Sequence, residues 1–204
     1  MIRQYKKYYS WILLVFHLIG LILFLKNSEN ASLTYLNILL CAVFVLLDEN
    51  NVQKKWFVYT LIAFFGFTLE WVGVHTGWLF GDYWYGNALG IKFLEIPLVI
   101  GLNWLVIVIS SSAVVQNLNI SFWLKIVLAG SIATFVDLLI EPVAMQYGFW
   151  SWQNNSIPVY NYLCWFVFSV LFSWLYLANS TLTNNTARYL LYIWIGFFTL
   201  LNVI

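Results

Sequence analysis

Seven runs of this chain are long and apolar enough to cross a lipid bilayer, and no other feature limits its fold so severely. They cover roughly 8–25, 32–47, 56–75, 94–115, 122–145, 160–178 and 187–204. About 30 Å of hydrocarbon calls for about 20 residues of helix. Without water to satisfy backbone groups, only helices and closed barrels cross such a layer. A barrel would need an even number of short alternating strands, whereas these runs are long and continuous. The expected fold class is therefore all-α: a polytopic integral membrane protein of about seven transmembrane helices, with 1–204 as one transmembrane domain. The second run is short, so it is tilted little or its ends extend into Ser32 and Asp48.

Composition closes off the soluble alternative. Only 8% of residues are charged while 63% are hydrophobic, against about 25% charged in ordinary globular chains. The net charge of +1, with no basic tail, excludes a nucleic-acid partner. Cys41 and Cys164 fall in apolar runs and read as packing residues. The N-terminal Arg3, Lys6 and Lys7 precede an apolar run with no small-residue cleavage site, so a retained first span is expected rather than a signal peptide.

Charge placement predicts the topology. Arg3, Lys6, Lys7, Lys54, Lys55, Lys125 and Arg188 fall on the side of the N-terminus, and only Lys26 and Lys92 on the other. Basic residues favour the cytoplasmic side. The expectation is a bacterial inner membrane, with the N-terminus cytoplasmic, the C-terminus outside, and the loops 76–93 and 146–159 on the outer face.

Those two loops are rich in aromatic residues punctuated by glycine: Gly77-Trp78-Leu79-Phe80-Gly81-Asp82-Tyr83-Trp84-Tyr85-Gly86, then Tyr147-Gly148-Phe149-Trp150-Ser151-Trp152. An interfacial aromatic belt accounts for part of this but not for its bias to one face. A faint internal repeat accompanies it. Glu70, Gly77 and Tyr83-Trp84-Tyr85 are followed by Pro97, Asn103 and Trp104; Asp137, Glu141, Gly148 and Trp150-Ser151-Trp152 are followed by Pro158, Asn161 and Trp165. Spans three and four would then match spans five and six as parallel hairpins.

Of eight acids, Glu29, Asp48 and Glu49 lie in connecting segments, where solvation suffices, and Asp82 lies in the first aromatic loop. Glu70, Glu95, Asp137 and Glu141 lie in or beside spans, all toward one leaflet. Acids inside hydrocarbon usually face a cavity or a partner. Asp137 and Glu141, four residues apart, share a helix face. No basic residue lies nearby, and clustered, poorly solvated carboxylates keep at least one member protonated, which is the form a general acid needs. Glu70 and Asp137 look equivalent in the repeat, with Glu141 a turn nearer water. Glu95, opening span four, reads better as a helix cap. His75 is a weaker candidate base or ligand, His17 a packing residue, and Ser110-Ser111-Ser112 small polar packing. Two histidines cannot build a His-rich metal site; an all-carboxylate one stays open, and the glycines form no phosphate loop.

The set Glu70-Trp71-Val72-Gly73, Thr76-Gly77, Phe80-Gly81-Asp82-Tyr83-Trp84-Tyr85, Pro97, Asn103-Trp104, Asp137, Glu141-Pro142-Val143, Gly148-Phe149-Trp150-Ser151-Trp152, Ile157-Pro158 and Tyr160-Asn161 resembles the carotenoid biosynthesis membrane-protein family that contains bisanhydrobacterioruberin hydratase and the gamma-carotene 1',2'-hydratases. The likeness covers about 70–165. The family often has Asp-Pro where this chain has Glu141-Pro142, which alters carboxylate reach. The resemblance implies hydration of the terminal double bond of a ψ end-group carotenoid without a cofactor or metal, the partners being an apolar polyene, water and the bilayer. It implies Glu70, Asp137 and Glu141 as catalytic acids. Trp71, His75, Asp82, Tyr83, Trp84, Tyr85, Asn103, Trp104, Trp150, Trp152, Asn161 and Trp165 would contact substrate, the aromatic faces steadying a carbocation. A lycopene-type cyclase shares the protonation but excludes water. A non-catalytic pigment binder or a transporter is the remaining class, and transport fits poorly with polar groups confined to one leaflet.

Overall fold

The computed structural model describes residues 2–49 and 52–204, with side chains from Lys6 onward. Arg3 therefore lies outside the described side chains. The described residues form seven α-helices: α1 (Ile2–Lys26), α2 (Thr34–Asp48), α3 (Val52–Thr76), α4 (Val99–Val115), α5 (Phe122–Gln146), α6 (Val159–Asn179) and α7 (Asn185–Val203). Among the described residues, six segments are long and apolar enough to span a bilayer, making this a multi-pass membrane protein. The short second span reaches length at its N-terminal end, where a 3-10 segment (Ser28–Leu33) extends α2 to 21 residues.

The remaining helix, α4, has 17 residues, about 25 Å at 1.5 Å each. It is the centre of the bundle, packed against α2, α3, α5, α6 and α7, and 14 of its residues are buried. A helix apolar on every face belongs in such a place. Lipid-facing positions fall instead on the outer helices, where Trp11, Trp56, Phe64 and Trp123 are exposed.

Span four does not begin at 94. Lys92–Phe93 (β2) and Ile96–Pro97 (β3) pair as a tight hairpin whose two turn residues, Leu94 and Glu95, have φ of 48° and 67°. Two left-handed residues give the turn that matches strand twist. Glu95 is thus a surface turn residue, its side chain 75% exposed, and not a cap of α4.

Asp48 and Glu49 also differ from expectation, for both are buried. Glu49 accepts hydrogen bonds from Tyr59 Oη (2.8 Å), Tyr176 Oη (2.6 Å) and Asn184 Nδ2 (2.8 Å), with Lys55 Nζ at 3.5 Å. Asp48 pairs with Lys6 (3.1 Å) and accepts the Thr186 N–H (2.9 Å). These bonds tie α1, α2, α3, α6 and α7 together on the N-terminal side. A buried charge is stable only when satisfied in this way.

Candidate active site

At the opposite end, the two aromatic triplets are strands that pair with one another. Tyr83–Tyr85 (β1) runs antiparallel to Trp150–Trp152 (β4), in the register Tyr83↔Trp152, Trp84↔Ser151 and Tyr85↔Trp150. Alternate strand residues face opposite ways, so Tyr83 and Tyr85 are buried while Trp84 is 54% exposed. The ladder joins the hairpin loops of α3–α4 and α5–α6 around a local two-fold. Gly77 (φ 66°) and Gly148 (φ 68°) stand seven residues beyond Glu70 and Glu141, where only a left-handed residue turns the chain out of the helix. Trp104 and Trp165 stand seven residues beyond Pro97 and Pro158. Their rings stack across the two-fold at 3.9 Å and 8°.

Each half holds one glutamate beneath its strand. Glu70 accepts from Tyr83 Oη (2.5 Å), Tyr85 Oη (2.7 Å) and Trp104 Nε1 (2.9 Å). Glu141 accepts from Trp150 Nε1 (2.9 Å), Trp152 Nε1 (2.7 Å) and Asn161 Nδ2 (3.3 Å). The equivalent of Glu70 is therefore Glu141 rather than Asp137. Nor does Glu141 sit nearer water, being only 2% exposed. Burial and the adjacent Glu70 carboxylate hold the Tyr83 and Tyr85 phenols well above their ordinary range, so both stay hydrogen-bond donors.

Asp137 breaks the symmetry. Its counterpart, four residues before the glutamate, is Gly66. A Cβ there would lie 2.6 Å from Trp104, so glycine lets that indole reach Glu70. The other half carries a carboxyl instead. Asp137 is 1% exposed and accepts one long bond, from Asn161 Nδ2 at 3.3 Å. The same amide group reaches Glu141 at an equal distance.

The three acids line one cavity of about 20 Å³, with Phe80, Tyr83, Tyr85, Ile100, Asn103, Trp150, Trp152, Asn161 and Trp165. That space has room for about one water molecule. Ile100, Asn103 and Trp150 also line a second cavity, apolar and about 410 Å³, among α1, α2, α4 and α7. Among the described residues, no group of three His, Cys, Asp or Glu is arranged to hold a metal ion.

Four sequence candidates stand apart. Trp71 is 38% exposed on α3. His75 Nε2 lies 3.7 Å from Glu95 at the surface. Asp82 is exposed in the turn before β1, and Trp84 points outward from it. Each lies beside cavity-lining residues in sequence, but helix and strand periodicity turn it away. Phe80 and Ile100 were missed. Phe80 is buried at φ 70°, and only its place between Gly77 and Gly81 hinted at a turned-in loop. Ile100 occupies the position equivalent to Asn161, which the proline spacing would have exposed.

The sequence matches the family described as "Carotenoid biosynthesis protein" over residues 9–204. Among curated proteins, the bisanhydrobacterioruberin hydratase of Haloarcula japonica is 28% identical over 135 residues, which is 62% of this chain and 45% of that protein. The chain thus spans less than half the length of this relative. No solved structure matches. With almost its whole length matched, the chain belongs to the carotenoid biosynthesis protein family.

Proposed function

We propose that this protein is a cofactor-independent hydratase adding water across the terminal, 1',2'-type double bond of a ψ end-group carotenoid. The observation that carries the reading is the acid cavity: three buried carboxyls around a space for one water, sharing Ile100, Asn103 and Trp150 as a common wall with an apolar cavity. The named hydratase among its relatives supports the same chemistry.

Donor supply divides the roles. Glu70 and Glu141 each accept three hydrogen bonds, which favours the carboxylate form, while Asp137 receives one. Asp137 is the proton donor. Its O–H bond breaks as a C–H bond forms at the less substituted alkene carbon, and the π electrons leave a tertiary cation at the other carbon. Glu70 and the Trp104–Trp165 stack lower the energy of that cation by charge and by ring quadrupole. Water attacks the cation and Glu141 takes its proton. The proton returns from Glu141 to Asp137 across the gap that Asn161 spans, so alkene and water become a tertiary alcohol and the protein is unchanged.

The orientation that goes with this reading puts the N-terminus in the cytoplasm and the acid cavity toward the outer leaflet of a bacterial inner membrane, supported by the Lys and Arg asymmetry. Expression in a lycopene- or gamma-carotene-producing host, followed by mass analysis of pigments, tests the reaction. Hydration adds the mass of one water, cyclisation adds none, and an unaltered pigment would leave a binding protein.

A further inference from the structure

The reaction engages one end of a long polyene, and most of that molecule must lie elsewhere. The 410 Å³ cavity beside the acids shares His17 and Phe197 with a further space of about 880 Å³ between α1 and α7. Three spaces thus form a series, from the acids past Trp150, past His17, to Lys6 and Arg188 on the N-terminal side. Along α1 the lining runs from Lys6 to Phe24, about 27 Å at 1.5 Å per residue. The constriction is fixed in place: His17 Nε2 lies 3.0 Å from Trp194 Nε1 and 3.1 Å from Asn37 Nδ2.

Two glycines in the walls have no other explanation in the packing. Glycine inside a helix is less stable than alanine, so it usually marks a close approach. Gly66, Gly73, Gly101 and Gly130 fit this, each with a neighbour under 3.0 Å from an added Cβ. Gly20 on α1 has none nearer than 3.9 Å, and Gly196 on α7 none within 4 Å. Neither has a left-handed φ. Gly20 lines the first apolar cavity and Gly196 the second. The room they leave belongs to something other than the protein.

We propose that the two apolar spaces are one groove that holds the unreacted length of the polyene, so the substrate lies across the bilayer with its far end between α1 and α7. Gly20 and Gly196 keep that path open and set the length of chain accepted. This rests on the polyene reading above, and the wall shared with the acid cavity favours a polyene over a lipid acyl chain.

Lycopene is the probe. Asp137→Asn protein, which binds without turnover on the reading above, is purified from a lycopene-accumulating host and its pigment measured per folded protein. Adding Gly196→Phe is expected to lower retained lycopene about tenfold. In titrations, a half-length polyene with the same end group should lose much less affinity. Gly20→Phe, on another helix, provides an independent plug should the first variant fold poorly. Equal lycopene retention by plugged and unplugged proteins, or acyl lipid in place of pigment in the unplugged one, overturns the groove. Wild-type protein that keeps lycopene unreacted, and loses it on plugging, supports the groove while refuting the hydratase reading.

Discussion

Replacing Asp137 with Asn, beside Glu70 with Gln, separates chemistry from architecture more sharply than either change alone. Asp137 accepts a single 3.3 Å bond, and it touches no strand residue through a hydrogen bond. Asparagine matches it in size, and its amide can donate to Glu141. The fold should lose less than about 1 kcal/mol, the scale of one neutral hydrogen bond. The exchangeable proton is gone, however, and turnover should fall by about 10² to 10⁴. Glu70 differs because both carboxylate oxygens are engaged by donors. A glutamine can offer its carbonyl oxygen to the two tyrosines or to Trp104, and its NH₂ then faces an N–H or O–H donor. That mismatch costs about 1–3 kcal/mol. Glu70→Gln should therefore lose both rate, by at least about 10², and thermal stability, whereas Asp137→Asn loses rate alone. The assay is pigment turnover per membrane-inserted protein, with a thermal melt of the purified protein in detergent. Near-normal turnover of Asp137→Asn would remove the proton donor from the account. A melt lowered as far as that of Glu70→Gln would make Asp137 a structural group.

Other perturbations follow from the same geometry. Glu95→Gln should change turnover little, because that carboxylate sits on a surface hairpin; a large loss in the same assay would return it to the site. Gly66→Leu should drive Trp104 off Glu70, since even a Cβ lies 2.6 Å from the ring, and a red-shifted tryptophan emission with loss of activity would report it. Raised phenol pKa values at Tyr83 and Tyr85 mean that the folded protein keeps protons which the unfolded chain releases from about pH 10. Stability from these groups is thus intact below that pH and falls above it, and Tyr85→Phe should flatten the alkaline slope of a melt-versus-pH series. A reporter fused after Ile204 should be active only if it folds outside the cytoplasm; cytoplasmic activity there would reverse the proposed orientation.

The helical membrane fold was legible because apolar runs of about 20 residues have few other solutions. The local two-fold was legible in part, as Pro97 and Pro158 with tryptophans at one spacing. Its pairing of acids is not. Depth in the helix matches Glu70 with Asp137, whereas the interval to Gly77 and Gly148 selects Glu141, and Gly66 is the counterpart of Asp137. Sequence alone groups Trp84 with Tyr83 and Tyr85, because a loop gives no rule for direction, whereas a three-residue strand does. Asp48 and Glu49 looked solvated from their place between spans. Their partners, Tyr176 and Asn184, lie more than a hundred residues away, and no local pattern announces such bonds. The apolar groove was least visible, for it is made by what Gly20 and Gly196 leave out.

The central claim is that water enters the product at the acid cavity, and the oxygen atom itself decides it. Purified protein in lipid nanodiscs, given a ψ end-group carotenoid in isotopically labelled water, should form an alcohol whose hydroxyl carries the label, and the Asp137→Asn protein should form almost none. An unlabelled hydroxyl whose oxygen comes instead from labelled O₂ would contradict hydration and make the three carboxyls part of an oxygenase.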